Sequence, residues 1–106
     1  MAGNFLKLYV SQTARQGGKL LYEWLLEEAR VLGIPGGSAF RAVAGFGRHG
    51  RIHEEHFFEL AGDLPMMVEF FAEEAAIESL LAKLQAEKVS LFYVRFAAEA
   101  GTTAPE

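Results

Sequence analysis

Apolar residues recur along the chain at two spacings, and each spacing predicts one type of secondary structure. An alternation of period two, typical of β-strands, covers residues 5–10, 38–46, 57–61, 66–71 and 89–97. Residues 62–65 interrupt the third strand, because proline cannot donate a ladder hydrogen bond. A spacing of three to four residues, typical of amphipathic helices, runs from Gly17 to about Leu32 and from Glu73 to Leu84. The predicted order of elements is therefore β-α-β-β-α-β.

This order predicts an α+β domain of the ferredoxin-like type, in which two helices lie on one face of a four-stranded antiparallel sheet. The helices can cover only that face, yet the first, second and last strands carry apolar side chains on both faces. In an isolated chain Phe5, Tyr9, Leu91 and Tyr93, or the residues that alternate with them, would remain exposed. Apolar patches of that size usually mark interfaces, so we expect the protein to self-associate.

The composition narrows the classes of function. The 106 residues suffice for one domain, which we place at residues 1–99, followed by a flexible tail at residues 100–106. The net charge of −4 disfavours nucleic acid as a partner, and the absence of cysteine excludes a thiol nucleophile. The chain has no apolar run of about 20 residues and no signal-peptide pattern, so we expect a cytoplasmic protein without membrane insertion.

A polar loop at residues 45–56 contains three glycines, two arginines and all three histidines of the chain. Successive glycine amides can form an anion nest, and guanidinium groups suit phosphate oxygens. The alternative is a solvated hairpin whose glycines only make the turn. Another alternative is a metal site, since His49, His53 and His56 would share one face of a helix. Gly50 disfavours a continuous helix, so we expect no metal site.

The sequence contains no acid–base pair, nucleophile elbow or cofactor motif that would predict an enzyme, so we expect a protein without catalysis. Glu69 lies within an apolar strand, where a carboxylate needs a partner. Arg41 or Arg95, on other strands, could be that partner. Alternatively, Glu69 faces a ligand cleft, and the sequence leaves both interpretations open.

Three stretches of the sequence form one ordered set. They are residues 21–33 of the first predicted helix, Gly45-Phe46-Gly47-Arg48-His49-Gly50 at the start of the loop, and residues 63–70 of the third strand. In order and spacing this set resembles the nitrogen-regulatory PII signalling proteins and, more closely, a PII-like signalling family related to them. The resemblance implies a homotrimer whose open sheet faces point inward, which would bury the second apolar face.

The resemblance also implies an adenine-nucleotide site between subunits, at the base of the loop. The residues that match the family's site are Ser38, Gly45, Gly47, Arg48, Glu69, Phe70 and Lys88. The two loop glycines and Arg48 correspond to phosphate contacts, Glu69 and Phe70 to the strand that lines the adenine pocket, and Ser38 to a hydroxyl near the base. The rest of the loop, with Arg51 and His53, would engage a protein partner such as a membrane transporter.

The sequence departs from the PII pattern at the phosphate end of that site. Gln85-Ala86-Glu87-Lys88 stands where PII proteins have Gly-Asp-Gly-Lys, so Lys88 alone matches the lysine of that turn. No Arg-x-Arg pair follows the last strand. We therefore expect AMP or ADP as the ligand in preference to ATP. The alternative within the same architecture is a CutA-like trimer that binds metal ions through His49, His53 and His56.

Overall fold

The computed structural model describes residues 1–45 and 65–105 of the chain. Its elements in chain order are β1 (Ala2–Ser11), β2 (Arg15–Gln16), β3 (Lys19–Leu20), α1 (Leu21–Val31), β4 (Gly37–Arg41), β5 (Pro65–Ala72), α2 (Glu74–Ala86) and β6 (Phe92–Glu99). The four longest strands pair antiparallel in the order β4-β5-β1-β6, and β2 and β3 form a separate hairpin. This topology confirms the predicted ferredoxin-like α+β fold.

The hydrophobic core lies between one face of the sheet and the two helices. Every second side chain from Leu6 to Val10 on β1 and from Met66 to Ala72 on β5 is buried, as a strand period of two requires. Both helices direct apolar side chains into the same core. The largest fully buried side chains are Leu6, Leu8, Leu25, Val68, Ile77 and Leu80.

The first helix begins at Leu21 and not at Gly17, because residues 15–20 form a hairpin. Gly17 and Gly18 have φ values of 58° and 80°, and two successive positive φ values are typical of tight hairpin turns. The guanidinium of Arg15 donates to the carbonyl oxygen of Gly18 at 2.9 Å. The short hairpin thus occupies a segment for which the sequence predicted a polar turn and the first turn of a helix.

The second predicted strand is shorter in the structure, ending at Arg41 and not at residue 46. Ala42 N–H still donates to the carbonyl oxygen of Pro65 at 2.9 Å. The ladder ends there because proline has no N–H to return the bond. The last strand begins at Phe92 and not at residue 89, since residues 87–91 form the turn after α2 and the connection into the sheet.

The two ends of the described chain are joined by backbone hydrogen bonds. The Met1 ammonium donates to the carbonyl oxygen of Ala100 at 2.8 Å, and Ala100 N–H donates to that of Met1 at 2.9 Å. Residues 101–105 contain no helix or strand. A domain boundary at residue 99 and a flexible tail after it stay predictions.

Both described helices lie on one side of the sheet, and we call the other side the open face. Its side chains form three rows across the strands. The first aromatic row is Phe40, Met67, Tyr9 and Phe92, the central row is Ser38, Glu69, Lys7 and Val94, and the second aromatic row is Phe71, Phe5 and Phe96. Phe40 is 48% exposed and Phe96 is 44% exposed. The prediction of apolar side chains on both faces of the sheet is confirmed. Tyr93, which the sequence grouped with Phe5 and Tyr9, lies opposite buried Leu8 and therefore points to the helix side.

Candidate functional site

Two of the predicted site residues, Ser38 and Glu69, lie side by side in the central row of the open face. They are direct cross-strand partners on β4 and β5, and Lys7 on β1 lies opposite Glu69. Ser38 is exposed, and Glu69 and Lys7 are half-buried. Within residues 1–45 and 65–105, the Ser38 and Glu69 side chains make no hydrogen bond or ion pair. Their hydrogen-bonding capacity is therefore available to a ligand or to another chain.

Neither arginine that the sequence offered as a partner for Glu69 reaches it, so that interpretation is wrong. Arg41 and Arg95 occupy strand positions that point to the helix side of the sheet, because they lie opposite the buried residues of neighbouring strands. Arg41 Nε donates to Gln12 Oε1 at 3.2 Å. Arg95 pairs with Glu78 of α2. Glu69 itself points to the open face, which leaves the interpretation that it faces a ligand or a neighbouring chain.

Phe70 lies in the core and not on the open face. Its side chain is 2% exposed, and its ring lies beneath Gly37 at the edge of the sheet. A Cβ atom at position 37 would stand 2.4 Å from Cε1 of this ring, so the glycine leaves room for the aromatic side chain. In the protomer the ring of Phe70 is covered, and its assignment to an adenine pocket stays a prediction.

A groove of about 500 Å³ lies at the other edge of the sheet, between α2 and β6. Ligand sites are commonly clefts of about 300–1,000 Å³. Its polar lining includes Lys88, Tyr93 and Arg95. Glu78 pairs with Arg95, whereas Lys88 has no ion pair among the described residues. Lys88 therefore supplies the positive charge that is free to meet an anion in this groove.

Lys88 has a left-handed backbone conformation, with a φ of 58°. No other non-glycine residue in the described part of the chain has a positive φ. Its N–H donates to the carbonyl oxygen of Gln85 at 3.1 Å, and Val89 N–H donates to that of Leu84 at 2.9 Å. This is the C-terminal helix motif that normally takes glycine, and α1 ends in the same way with Gly33 at φ 88°. A lysine there costs roughly 1–2 kcal/mol of backbone strain. Strain of this kind is a reason to suspect a functional position.

Replacing Lys88 by glycine should therefore stabilise the protomer while weakening the binding of an anion. We expect the free energy of unfolding to rise by about 1 kcal/mol, because glycine adopts positive φ without a Cβ clash. Chemical denaturation measures that gain, and isothermal titration calorimetry with ADP measures the loss of affinity.

The matched control is Lys88→Ala, which removes the ammonium group and keeps the strained backbone. It should lose as much ADP affinity as Lys88→Gly without gaining stability. ADP affinity that is unchanged in both variants would remove Lys88 from the site.

Of the remaining predicted loop residues, Gly45 alone belongs to the described part of the chain. Gly45 follows β4 at the end of the sheet where β6 begins, and no described side chain or backbone atom lies within 4 Å of its Cβ position. The other loop residues lie outside the described residues, namely Gly47, Arg48, His49, Arg51, His53 and His56. The phosphate, partner-loop and metal assignments made for them stay predictions.

Metal clusters and membrane spans are both missing from the described part of the chain. No group of three or more histidine, aspartate or glutamate side chains there could hold a metal ion. None of the helices found there is long and apolar enough to cross a membrane.

The family model DUF190, described as an uncharacterized ACR, matches residues 3–91. The chain belongs to the DUF190 family. A UPF0166 protein of Aquifex aeolicus (strain VF5) is 35% identical to this DUF190 chain over 80 residues, which cover 76% of each sequence. A UPF0166 protein of Methanocaldococcus jannaschii is 29% identical over 79 residues, which cover 74% of the chain and 72% of the relative.

Three solved structures share the fold of this DUF190 chain. The first is the apo form of CPII, a nitrogen regulatory PII-like protein from Thiomonas intermedia K12, with a TM-score of 0.52 at 16% identity. The superposition covers 96% of this chain and 97% of the CPII chain. CPII bound to ADP, AMP and bicarbonate has a TM-score of 0.50 at 18% identity, with full coverage of both chains. A PII-like signalling protein from Thermus thermophilus has a TM-score of 0.51 at 18% identity. The superposition covers 92% of this chain and 86% of the Thermus protein. The resemblance to PII-like proteins is confirmed for the fold.

Sequence reasoning missed Lys7 as a functional candidate in this DUF190 protein. Its charge was visible as a break in the alternation of the first strand, between Phe5 and Tyr9. Only the ladder register places Lys7 directly opposite Glu69. Likewise, the position of Arg95 beneath α2 depends on how the helix packs across the sheet, which the sequence pattern does not specify.

Proposed function

We propose that this DUF190 chain is a PII-like regulatory protein that binds an adenine nucleotide of AMP or ADP size between the subunits of a homotrimer. Occupancy of the site would change the conformation of the loop at residues 45–56. In the cytoplasm, that loop would in turn bind or release a protein partner, such as a membrane transporter. The protein would act by binding, without catalysis.

The observation that carries this proposal is the placement of the candidate residues at two edges of one sheet. Gly45 follows edge strand β4, whereas Lys88 precedes edge strand β6 at the same end of the sheet. With about 4.8 Å between neighbouring strands, the two edges are roughly 14 Å apart within one protomer. A cyclic assembly that sets the β4 edge of one protomer beside the β6 groove of the next would bring both sets of residues to one cleft.

The chemistry of these residues supports an anionic ligand with a flat, partly apolar body. The groove beside β6 combines the free ammonium group of Lys88 with the exposed ring of Tyr93. Ammonium and guanidinium groups suit phosphate oxygens, and an aromatic ring suits a nucleobase. CPII, which shares the fold, has been solved with ADP, AMP and bicarbonate. This supports the choice of an adenine nucleotide among anionic ligands.

The proposed signal depends on a difference in ligand affinity between two loop conformations. A ligand can shift a conformational equilibrium only by the difference between its binding free energies for the two conformations. Gly45 is the first residue of the loop, so a phosphate held by the amides at the base of the loop would favour the conformation that presents them.

Calorimetric titration tests the ligand class directly. The protein is titrated with AMP, ADP and ATP, with and without bicarbonate, and with a panel of divalent metal ions. We expect AMP or ADP to bind more tightly than ATP, because Lys88 alone matches the basic residues of the PII phosphate clamp. If no nucleotide binds at millimolar concentration and a metal ion binds with release of protons, the CutA-like alternative replaces this proposal.

Replacing Arg48 by alanine should weaken nucleotide binding by about 10- to 100-fold, the usual effect of losing charge-assisted hydrogen bonds to phosphate. The control is Arg30→Ala, which removes an exposed arginine from the last turn of α1. Calorimetry with ADP compares both variants with the parent protein. An Arg48→Ala variant with the parent affinity would remove Arg48 from the phosphate contacts.

A further inference from the structure

We propose that Lys7 of one protomer and Glu69 of its neighbour form an ion pair at the centre of the interface between open faces. The inference rests on the self-assembly contained in the proposed function and goes beyond it by naming the residues that set the register of the interface.

Lys7 and Glu69 are opposite charges in the middle of an otherwise apolar surface. They are cross-strand neighbours in the central row, and an aromatic row flanks them on each side. Directly opposite residues of an antiparallel pair lie close enough for their side chains to interact. Nevertheless, the two side chains form no ion pair with each other or with any other residue of the described chain. Both charges therefore lack an ion-pair partner within residues 1–45 and 65–105.

The conformation of Lys7 is consistent with an ammonium group that lacks a carboxylate partner. Its Nζ atom lies 5.8 Å from the centroid of the Phe5 ring, within cation–π range. Phe5 in turn is stacked on Phe96, with 5.4 Å between ring centroids and 8° between ring planes. The second aromatic row thus holds the lysine on the open face, at the surface that a neighbouring chain would cover.

Burial of the open face would make unpaired charges at Lys7 and Glu69 strongly unfavourable, because desolvation must be offset by an opposite charge. Each copy of the chain offers one positive and one negative group, so the surface is complementary to itself. In a cyclic assembly each Lys7 can meet the Glu69 of the next copy, and every charge is then paired. The flanking aromatic rows would exclude water around these pairs. Charge and apolar surface together therefore indicate a second copy of this chain as the occupant.

Charge-reversal variants test the pair. Lys7→Glu places two carboxylates at each contact, and Glu69→Lys places two ammonium groups there. We expect either variant alone to raise the concentration at which the assembly dissociates by at least tenfold, which corresponds to about 1.4 kcal/mol. Native mass spectrometry and light scattering over a dilution series measure this change. Circular dichroism checks that each variant folds.

An equimolar mixture of the two variants tests whether positions 7 and 69 of different chains come close together. In a mixed trimer two of the three contacts join a carboxylate on one variant to an ammonium group on the other. The mixture should therefore assemble at lower concentration than either variant alone. A mixture that assembles no better than either variant alone would overturn the inference.

Neutral variants replace the charge reversals if a reversed variant does not fold. Lys7→Gln and Glu69→Gln each leave one unpaired charge at every contact, whereas the double variant that carries both substitutions leaves none. Each single variant should then assemble more weakly than the double variant. Equal assembly of all three would overturn the inference.

The parent protein distinguishes failure of this inference from failure of the proposed function. A parent protein that is a monomer at every concentration contradicts the assembly and, with it, the pair. A parent trimer whose dissociation is unchanged by both charge reversals contradicts the pair only, and the nucleotide titrations then test the proposed site independently.

Discussion

Replacing Phe70 by alanine is expected to lower the free energy of unfolding of the protomer by about 3–5 kcal/mol, the usual range for removing a buried aromatic ring. The ring is 2% exposed and fills the space beneath Gly37. It belongs to the core that the sheet and both helices enclose, so alanine would leave a cavity there. Urea denaturation, compared with the parent protein at the same concentration, measures the loss.

Phe71 offers a matched control, because it is the next residue on the same strand and points to the opposite face. It is half-buried in the second aromatic row. Phe71→Ala should cost the protomer clearly less stability than Phe70→Ala and should weaken self-assembly instead. Equal stability losses in the two variants would contradict the division of β5 into a core face and an open face.

Phe70→Leu then tests whether the ring has a role in ligand binding. Leucine keeps the core apolar and removes only the aromatic surface, so ADP affinity should be unchanged if Phe70 serves the core alone. A folded Phe70→Leu variant with much weaker ADP binding would favour the adenine-pocket assignment that the resemblance to PII-like proteins implies.

Replacing Phe96 by aspartate is expected to convert the proposed trimer into monomers, with an increase of about 100-fold or more in the dissociation concentration. Phe96 is 44% exposed in the protomer and stacks on Phe5 in the second aromatic row. A carboxylate at this position would be buried among aromatic rings, and burial of an unpaired charge costs several kcal/mol. Light scattering over a dilution series measures the change in mass.

Val31→Asp is the control for the effect of an aspartate on an exposed apolar site. Val31 is 78% exposed at the C-terminal end of α1, away from the open face. An acidic residue near a helix C-terminus costs only about 0.3–1 kcal/mol, so this variant should stay assembled. A Phe96→Asp protein that keeps the parent mass at every concentration would show that the open face is not the interface.

Much of the fold could be predicted because the signals are local. Alternation marks β1 and β5, and helical spacing marks α1 and α2. The predicted strand at residues 57–61 lies outside the described residues, and β5 begins at Pro65, within the interruption predicted for residues 62–65. Local signals were weaker at the ends of elements. The hairpin at residues 15–20 depends on the positive φ values of Gly17 and Gly18, and β4 ends early because Pro65 lacks the N–H that would continue its ladder.

The candidate site was predicted less completely, and Glu69 shows the reason. The sequence identified it as a carboxylate in need of a partner but could not choose between Arg41, Arg95 and a ligand. In the structure both arginines lie on the helix side of the sheet, since a one-residue step along a strand moves a side chain to the opposite face. The groove beside Lys88 could not be predicted at all, because it depends on how α2 packs relative to β6.

By itself, the sequence determined the order of the two helices and four long strands and the presence of apolar side chains on both faces of the sheet. These features follow from the spacing of residues that are close together in the chain. The polar loop, which lies outside the described residues after Gly45, stays a prediction. Only the tertiary structure decided that Phe70 is part of the core. It also decided that Lys7 and Glu69 are neighbours on the open face without forming an ion pair. The third feature that it decided is the strained turn at Lys88. The first two depend on strand register and on packing between residues far apart in sequence, where a shift of one position would exchange the two faces of the sheet. The turn at Lys88 is local, but lysine does not reveal the positive φ that glycine would signal.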